Sequence, residues 1–98
     1  MTRGREGKLQ DVFIKFLKSK GCYVIKVSAG PGVPKGCPDV IALYEGAWIA
    51  AEMKASKRSK YQPGQKETIA KLSDWSWCKM VCPENYKEIT EELEEFLR

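Results

Sequence analysis

The chain has 98 residues, 43% hydrophobic and 31% charged, the composition of a globular protein with one small hydrophobic core. No apolar stretch is long enough for a membrane span, and none follows the amino terminus as in a signal peptide. We therefore expect a single domain over residues 1–98, in the cytoplasm and without membrane contact.

The net charge of +4 is unevenly distributed along the chain. Residues 84–98 hold six glutamates against two basic residues, whereas residues 1–83 hold 15 basic and 7 acidic residues. A basic body with an acidic final helix is typical of a protein that binds a polyanion from one side. A solvated charged surface explains the same charges equally well.

The first predicted element is a helix over residues 5–20. Gly21 follows as a stop signal, and apolar residues recur at helical spacing: Leu9, Val12, Phe13, Phe16 and Leu17. Counting back by whole turns places Glu6 on or beside the inward face. Glu6 either faces a site beneath the helix or simply favours the positive helix N-terminus.

A strand over residues 22–27 is followed by a loop over residues 28–36 that contains three glycines and two prolines. Such a loop can bring bare backbone close to a ligand, and we expect Ser28 and Lys35 to contact phosphates there. The Gly-Lys order of a P-loop is absent, which argues against a nucleotide-cradling loop. A merely flexible connection is the alternative.

The stretch from residue 36 to residue 54 predicts a β-hairpin with Glu45 and Gly46 as its turn. In this register Tyr44 faces Ala47, and each earlier residue faces one later residue. Both faces of the hairpin are largely apolar, a pattern typical of central, buried strands.

Charged residues lie at the open end of this hairpin. Counting outward from the turn places Asp39 opposite Glu52, and the strand period of two puts Lys54 on the same face. Like charges that face each other destabilise a sheet, and carboxylates are ligands for a hard divalent cation such as Mg²⁺. The pair therefore predicts a metal site, with a wet sheet edge as the alternative.

Residues 55–62 form a polar, basic loop, and a second helix is predicted over residues 62–73 with Pro63 in its first turn. Gln65 lies one turn before Ile69 and can face the sheet, where its amide would hold a lysine or a phosphate oxygen. An ordinary polar residue of the first helical turn is the alternative reading.

Residues 75–81 predict a final strand, and Pro83 begins a final helix. The element order is αβββαβα, a mixed α/β fold, and the direction of the last strand cannot be read from the pattern. The four cysteines contain no C-x₂-C pair and the chain has no histidine, so we expect buried, reduced thiols rather than structural zinc.

The motif Pro38-Asp39 followed by Glu52-x-Lys54 resembles the signature of the PD-(D/E)XK nuclease superfamily. The resemblance covers residues 5–82 and implies a restriction-endonuclease-like core with a mixed central sheet. Two departures, Cys37 and Met53, remove no ligand. Three further features resemble the VRR-NUC nucleases, which occur alone in phages and bacteria: a glutamate in the preceding helix (Glu6), the Gly-x-Pro-Asp opening of the strand (36–39) and a glutamine after the lysine (Gln65).

The resemblance implies hydrolysis of DNA phosphodiester bonds with Mg²⁺ or Mn²⁺ as the cofactor. The cation would be held by Asp39, Glu52 and the backbone carbonyl of Met53, and it would polarise the phosphate and activate a water. Glu6 would bind a second metal or a metal-bound water.

The same resemblance assigns roles to the other polar residues. Lys54 would orient the water and stabilise the transition state, and Gln65 would position Lys54 or the scissile phosphate. The predicted catalytic residues are Asp39, Glu52, Lys54, Gln65 and Glu6. The predicted DNA-binding residues, which would follow the backbone without reading sequence, are Ser28, Lys35, Lys57, Arg58 and Lys60.

Stand-alone phage members resemble structure-specific endonucleases that act on branched DNA, such as Holliday junctions, as homodimers. Two symmetry-related sites suit a junction in which two strands are cut. Trp75 and Trp77 are candidates for the dimer face, with core packing as the alternative. Flap or single-stranded DNA cleavage, a non-catalytic DNA-binding module and an interaction protein that uses its acidic last helix are the competing functions.

Overall fold

A four-stranded sheet with helices packed against it forms the fold, as seen in a computed structural model that describes residues 4–98 apart from the side chain of Arg5. Residues 1–3 of the predicted 1–98 domain lie outside the described part. The elements are α1 (Arg5–Ser19), β1 (Tyr23–Lys26), β2 (Val40–Tyr44), β3 (Ala47–Met53), α2 (Gln65–Trp75), β4 (Trp77–Val81), a 3₁₀ turn (Pro83–Asn85) and α3 (Tyr86–Phe96). The predicted order αβββαβα is confirmed, and the mixed sheet is consistent with a restriction-endonuclease-like core.

The strands lie side by side in chain order, β1-β2-β3-β4. The pairs β1–β2 and β2–β3 are antiparallel, and β4 runs parallel to β3. A parallel neighbour needs a crossover connection, which α2 supplies here. This arrangement makes β2 and β3 the central strands of the sheet.

The predicted hairpin register is confirmed. Tyr44 pairs with Ala47, and the pairing continues to Val40 opposite Ala51. Gly46 has φ of +84°, the left-handed conformation that a tight hairpin turn requires at this place. The short turn therefore fixes which residues of β2 and β3 share a face.

The two faces of the sheet differ in what covers them. One face, which we call the packed face, lies under α1 and α3, and its buried side chains are Val40, Ala42, Ile49, Ala51, Met53, Trp77 and Val81. Phe13 and Leu17 of α1 and Ile89 and Leu93 of α3 pack against it and are themselves buried. The hydrophobic core is therefore formed on this side.

The opposite face, which we call the open face, carries Tyr23, Ile25, Ile41, Leu43, Trp48, Ala50, Glu52 and Cys78. Near the hairpin turn it is exposed, since Tyr23 is 71% and Leu43 44% accessible to solvent. At the other end Ala50 and Glu52 are buried, and α2 lies against the adjacent β4. The expectation that both faces are buried therefore holds only at the charged end of the hairpin.

Predicted boundaries at α2 and α3 are wrong. Pro83 begins a 3₁₀ turn rather than the final helix, which begins at Tyr86. The second helix begins at Gln65 rather than residue 62, because Gly64 adopts a left-handed conformation (φ +86°) and leaves Pro63 in a preceding turn. Trp75 ends this helix instead of beginning the last strand, since the amide of Ser76 still donates to the carbonyl of Leu72. Trp75 is consequently exposed, whereas Trp77 is buried in the core.

The cysteines are free thiols, and Cys22, Cys78 and Cys82 are buried as expected. Cys37 is half-buried in the loop before β2. Among the described residues, no helix combines the length and the apolar character that crossing a membrane requires.

Candidate active site

The charged end of the open face gathers polar side chains from four different segments. Glu52 and Lys54 come from the end of β3, and Asp39 comes from the residue before β2. Gln65 is the first residue of α2, and Glu6 lies in the first turn of α1. These are the five residues that the sequence nominated as catalytic.

Asp39 is held by its backbone at the margin of the sheet. Its amide donates to the carbonyl of Ala51 at 3.0 Å, one position short of Glu52, the partner that the hairpin register would give it. Its carboxylate Oδ2 accepts a hydrogen bond of 2.9 Å from the amide of Met53. The carboxylate is thereby fixed beside the end of β3.

Met53 presents its backbone to the same place. The amide of the next residue, Lys54, donates to Val81 on β4. Since the direction of the backbone groups alternates along a strand, the N–H and C=O of Met53 point the other way, toward β2. The amide of Met53 meets Asp39 on that side. Its carbonyl therefore also lies on the side of Asp39, where the sequence hypothesis requires it.

Glu52, Lys54 and Gln65 form a buried hydrogen-bonded network. Gln65 Nε2 donates to Glu52 Oε2 at 2.7 Å, Lys54 Nζ donates to Gln65 Oε1 at 3.0 Å, and Lys54 Nζ lies 3.5 Å from Glu52 Oε2. The three residues are between 2% and 7% exposed. Buried ionic groups are stable only with such partners. Gln65 supplies a hydrogen-bond partner to both Glu52 and Lys54.

The orientation of the Gln65 amide is set by a second donor. The backbone amide of Gln62 donates to Gln65 Oε1 at 2.7 Å, beside the hydrogen bond from Lys54. With its oxygen held by two donors, the amide must direct its NH₂ group at Glu52. The turn at residues 62–64, which the sequence assigned to the helix, thus has a positioning role.

Glu52 is incompletely neutralised. Its Oε1 is buried and accepts no hydrogen bond from a donor among residues 4–98. Burial, then the charge of Asp39, and also a hydrogen bond between the two carboxyl groups raise the pKa of Glu52 to about 7, whereas the charge and hydrogen bond of Lys54 lower it. An unpaired buried carboxylate oxygen beside a second carboxylate suits an additional positive charge.

Glu6 and Cys37 border this centre. Glu6 is exposed, and partial desolvation, followed by the charge of Asp39, raises its pKa, whereas the charge of Lys54 lowers it. Burial and the charges of Asp39 and Glu52 raise the pKa of the Cys37 thiol. Within the described residues, no three acidic, cysteine or histidine side chains converge as a ready metal cage, so Asp39 and Glu52 are the two central carboxylates.

Tyr61 belongs to the site but was not predicted. Lys54 Nζ lies 5.6 Å from the centre of the Tyr61 ring, a cation–π distance. Burial and the charge of Glu52 raise the pKa of the Tyr61 hydroxyl. A lone aromatic residue within the basic segment 55–62 was the available signal, but a sequence pattern does not show which way a loop folds back.

A cavity of about 260 Å³ opens beside Asp39. The glycine- and proline-rich loop forms one wall, and Gln62 and Gln65 form another. Lys35 lines this cavity, as the sequence hypothesis requires for a phosphate contact, and Cys37 lies between it and Asp39 in the chain. The backbone of the loop, the lysine Lys35 and the carboxylate of Asp39 therefore all line the same cavity.

The other predicted DNA-binding residues lie outside this cavity. Ser28 is exposed and is not part of the cavity wall. The basic side chains of the segment after β3 are also exposed: Lys57, Arg58 and Lys60. They belong to the segment that follows Lys54 in the chain, and none of them lines the cavity.

The chain matches the model of a known protein family. A family model described as archaeal Holliday junction resolvase (Hjc) matches residues 4–82. The matched stretch includes all five nominated catalytic residues and stops after β4, before α3. A search among curated proteins finds no match for the chain.

Proposed function

Since the chain belongs to the archaeal Holliday junction resolvase family, a nuclease family of the PD-(D/E)XK type, we propose that it is a metal-dependent endonuclease that cuts four-way DNA junctions. The observation that carries this proposal is the buried carboxylate of Glu52, which has an unpartnered oxygen and lies beside Asp39 and Lys54. The finer VRR-NUC assignment rests on the motif alone and stays a prediction.

The donor set fits Mg²⁺ or Mn²⁺. Both ions favour oxygen ligands, and Asp39, Glu52 and the Met53 carbonyl would supply them. The Met53 amide donates to the Asp39 carboxylate, which supports this assignment. The free Oε1 of Glu52 is the specific sign of fit, because a structural carboxylate at this depth would have both oxygens paired. When bound, the cation would polarise the scissile phosphate and increase the acidity of a water molecule.

The remaining residues act through hydrogen bonds and charge. The ammonium of Lys54, held by Gln65 and the Tyr61 ring, would orient the attacking water and stabilise the negative charge that develops on the phosphate. Gln65 would position both Lys54 and Glu52. Glu6, at the rim near Asp39, would contribute a further carboxylate to a second metal or to a water molecule.

Substrate binding would rest on backbone contacts. The cavity beside Asp39 would admit the scissile phosphate, and Lys35 in its wall would pair with a neighbouring phosphate. Ser28, Lys57, Arg58 and Lys60 would follow the DNA backbone outside the cavity. Such contacts recognise the shape and charge of branched DNA rather than its sequence.

Cutting both strands of a junction requires two sites, so we expect a homodimer. A two-fold symmetric pair presents the same surface twice. The exposed apolar end of the open face, formed by Tyr23, Ile25 and Leu43, is the surface that a second copy would cover. Trp77 is excluded from this role by its burial in the core.

The test uses a labelled four-way junction, a flap, a linear duplex and a single strand, each incubated with Mg²⁺, Mn²⁺ or EDTA. We expect metal-dependent cleavage with preference for the junction. Asp39→Asn should bind the junction in EDTA as the wild type does and should fail to cut it. Binding without cleavage by the wild type would instead identify a non-catalytic DNA-binding module, and preferred cutting of flaps or single strands would replace the junction as substrate.

A further inference from the structure

A second cavity lies on the other side of the segment that precedes β2. Its volume is about 270 Å³, and it is formed between that segment and α2. Its wall is mainly apolar but contains two lysines, and its lining residues include Pro34, Lys35, Cys37, Lys71, Leu72 and Trp75. None of the nominated catalytic residues lines it.

Trp75 is the most conspicuous member of this wall. It is 65% exposed, although a tryptophan normally buries most of its large apolar surface. Lys71 lies one helical turn earlier, and its Nζ is 5.2 Å from the centre of the Trp75 ring. An exposed aromatic ring with an ammonium beside it suits a ligand that combines a flat ring with a negative charge.

The two cavities adjoin each other. Pro34, Lys35 and Cys37 line both, so this segment forms their common wall. A strand with one phosphate beside Asp39 would pass Lys35 on its way to Trp75. A nucleotide next to the cleaved bond is the ligand that this common wall favours.

We infer that Trp75, with Lys35 and Lys71, binds an unstacked nucleotide of the DNA strand that enters the active site. The base would stack on the indole ring, and the adjoining phosphates would pair with the two lysines. This inference rests on the proposed nuclease function. It adds a stacking site, which would favour DNA with unpaired or loosely stacked nucleotides, as at a branch point.

Binding of a short oligothymidylate in EDTA tests the inference without requiring cleavage. Stacking of thymine on Trp75 should quench the tryptophan fluorescence. Trp75→Phe should remove most of that quenching, because Trp77 is buried and the half-buried Trp48 lines neither cavity. Trp75→Ala should weaken binding by about 5- to 150-fold, the range that one base–aromatic stack supports. Trp75→Phe keeps an aromatic ring and should restore most of the affinity.

Lysine variants separate stacking from simple charge. Lys71→Ala should weaken binding more than Lys15→Ala, which removes the same charge from an exposed site on α1 outside both cavities. Equal effects of the two variants would mean that only the net charge matters, and the inference would be wrong. Thermal melting of each variant verifies that the fold is retained.

The outcomes distinguish the stacking site from the proposed function. If the wild type fails to cut any DNA but Trp75 is still quenched, the nuclease proposal fails and the stacking site stands. If the wild type cuts junctions while Trp75→Ala binds and cuts equally well, the stacking site is overturned. A change of oligomeric state in Trp75→Ala, measured by light scattering, would assign the cavity to a second copy of the chain and also overturn the inference.

Discussion

The packed face and the open face of the sheet are formed by the same strands but differ in their side chains and in what covers them. On the packed face the buried side chains of the sheet are hydrophobic. They pack against α1 and α3 through helix residues such as Phe13 and Leu93, which are themselves completely buried. The open face combines exposed apolar residues at the hairpin turn with the buried ions Glu52 and Lys54 at the other end. Each face has one buried polar atom without a hydrogen-bond partner among the described residues, but on the packed face it is the neutral Trp77 Nε1, whereas on the open face it is a carboxylate oxygen of Glu52.

The difference separates stability from function. Burial of apolar surface on the packed face supplies the favourable free energy of folding, since it needs no specific partner. The charged end of the open face is costly, because ions are desolvated and Glu52 Oε1 has no partner among the described residues. A bound ligand can offset the unfavourable free energy of these desolvated ions. This is the physical reason to assign the site to the open face.

The largest expected effect is on the packed face. Phe13→Ala should lower the free energy of unfolding by about 3–5 kcal/mol, because it leaves a cavity beneath a completely buried ring. Leu43→Ala on the open face is the matched variant. Its cost should be below about 1 kcal/mol in dilute protein, because Leu43 is already 44% exposed.

Urea unfolding at two protein concentrations checks this contrast. The loss in Phe13→Ala should be independent of concentration, whereas the loss in Leu43→Ala should appear only where copies of the chain associate. A large loss in Leu43→Ala at every concentration would show that the open face is covered within one chain. That result would contradict the distinction between the faces.

The next effect concerns the buried lysine of the open face. Lys54→Met keeps the length of the side chain but removes the ammonium that Gln65 and Tyr61 hold. Cleavage of a junction at saturating DNA should fall by about 10²- to 10³-fold, the loss typical of removing one donor to a developing charge. Binding in EDTA should change little.

Lys60→Ala provides the opposite pattern. This exposed lysine should affect the Kd for DNA and reduce the salt dependence of binding by about one ion, as expected for one phosphate contact. Single-turnover cleavage and anisotropy titrations separate the two variants. Lys54→Met cleaving at the wild-type rate would refute the role given to Lys54.

Strand periodicity carried most of the correct sequence predictions. The alternation of side chains and the Glu45-Gly46 turn fixed the register that puts Asp39, Glu52 and Lys54 at one end of the hairpin. Those features are local, because a two-residue turn leaves little freedom in how two strands pair. Gln65 was placed correctly beside Lys54, even though its helix was predicted to begin three residues too early.

Non-local features were missed for a different reason. The parallel direction of β4, which the pattern left open, the packing of Tyr61 on Lys54 and the place of Trp75 at the end of α2 all depend on how α2 returns to the sheet. The left-handed conformation of Gly64 sets the start of that helix. A glycine in a sequence allows such a conformation but does not require it. The same limit hid the cavity between α2 and the segment before β2.

A smaller effect is expected where this segment touches α2. Gly36 has φ of +82°, and a Cβ there would lie 2.7 Å from the backbone of Gly64 and 2.9 Å from Thr68 Oγ1. Gly36→Ala should therefore push the loop away from Gln65 and cost about 1–3 kcal/mol through overpacking, in addition to the strain of its φ. Gly32→Ala is the matched control, since Gly32 has φ of +87° but open space around it.

Chemical denaturation and cleavage assays compare the two glycine variants. Both should show the cost of a left-handed alanine, about 1–2 kcal/mol. Only Gly36→Ala should also reduce cleavage, because only there does the start of α2 move relative to the sheet. Equal behaviour of the two variants would mean that the contact between Gly36 and Gly64 does not position the site.

The smallest effect tests the cost of the unpaired carboxylate directly. Glu52 has a pKa of about 7 in the fold against an ordinary value of 4.5, so the folded state binds this proton more tightly than the unfolded state. The stabilisation from protonated Glu52 is therefore present at low pH and is lost as the pH rises from about 4.5 through about 7. Glu52→Gln removes this titration while keeping the shape of the side chain.

In EDTA, the wild type should lose stability relative to Glu52→Gln between pH 5 and pH 8, by on the order of 2 kcal/mol. Adding Mn²⁺ at pH 8 should stabilise the wild type and not the variant, because only the charged carboxylate gains a partner. Urea unfolding at both pH values, with and without the metal, gives the four numbers needed. A difference between the proteins that does not change with pH would mean that Glu52 is already satisfied by Lys54 and Gln65, and the open face would then have no unmet charge for a cation to neutralise.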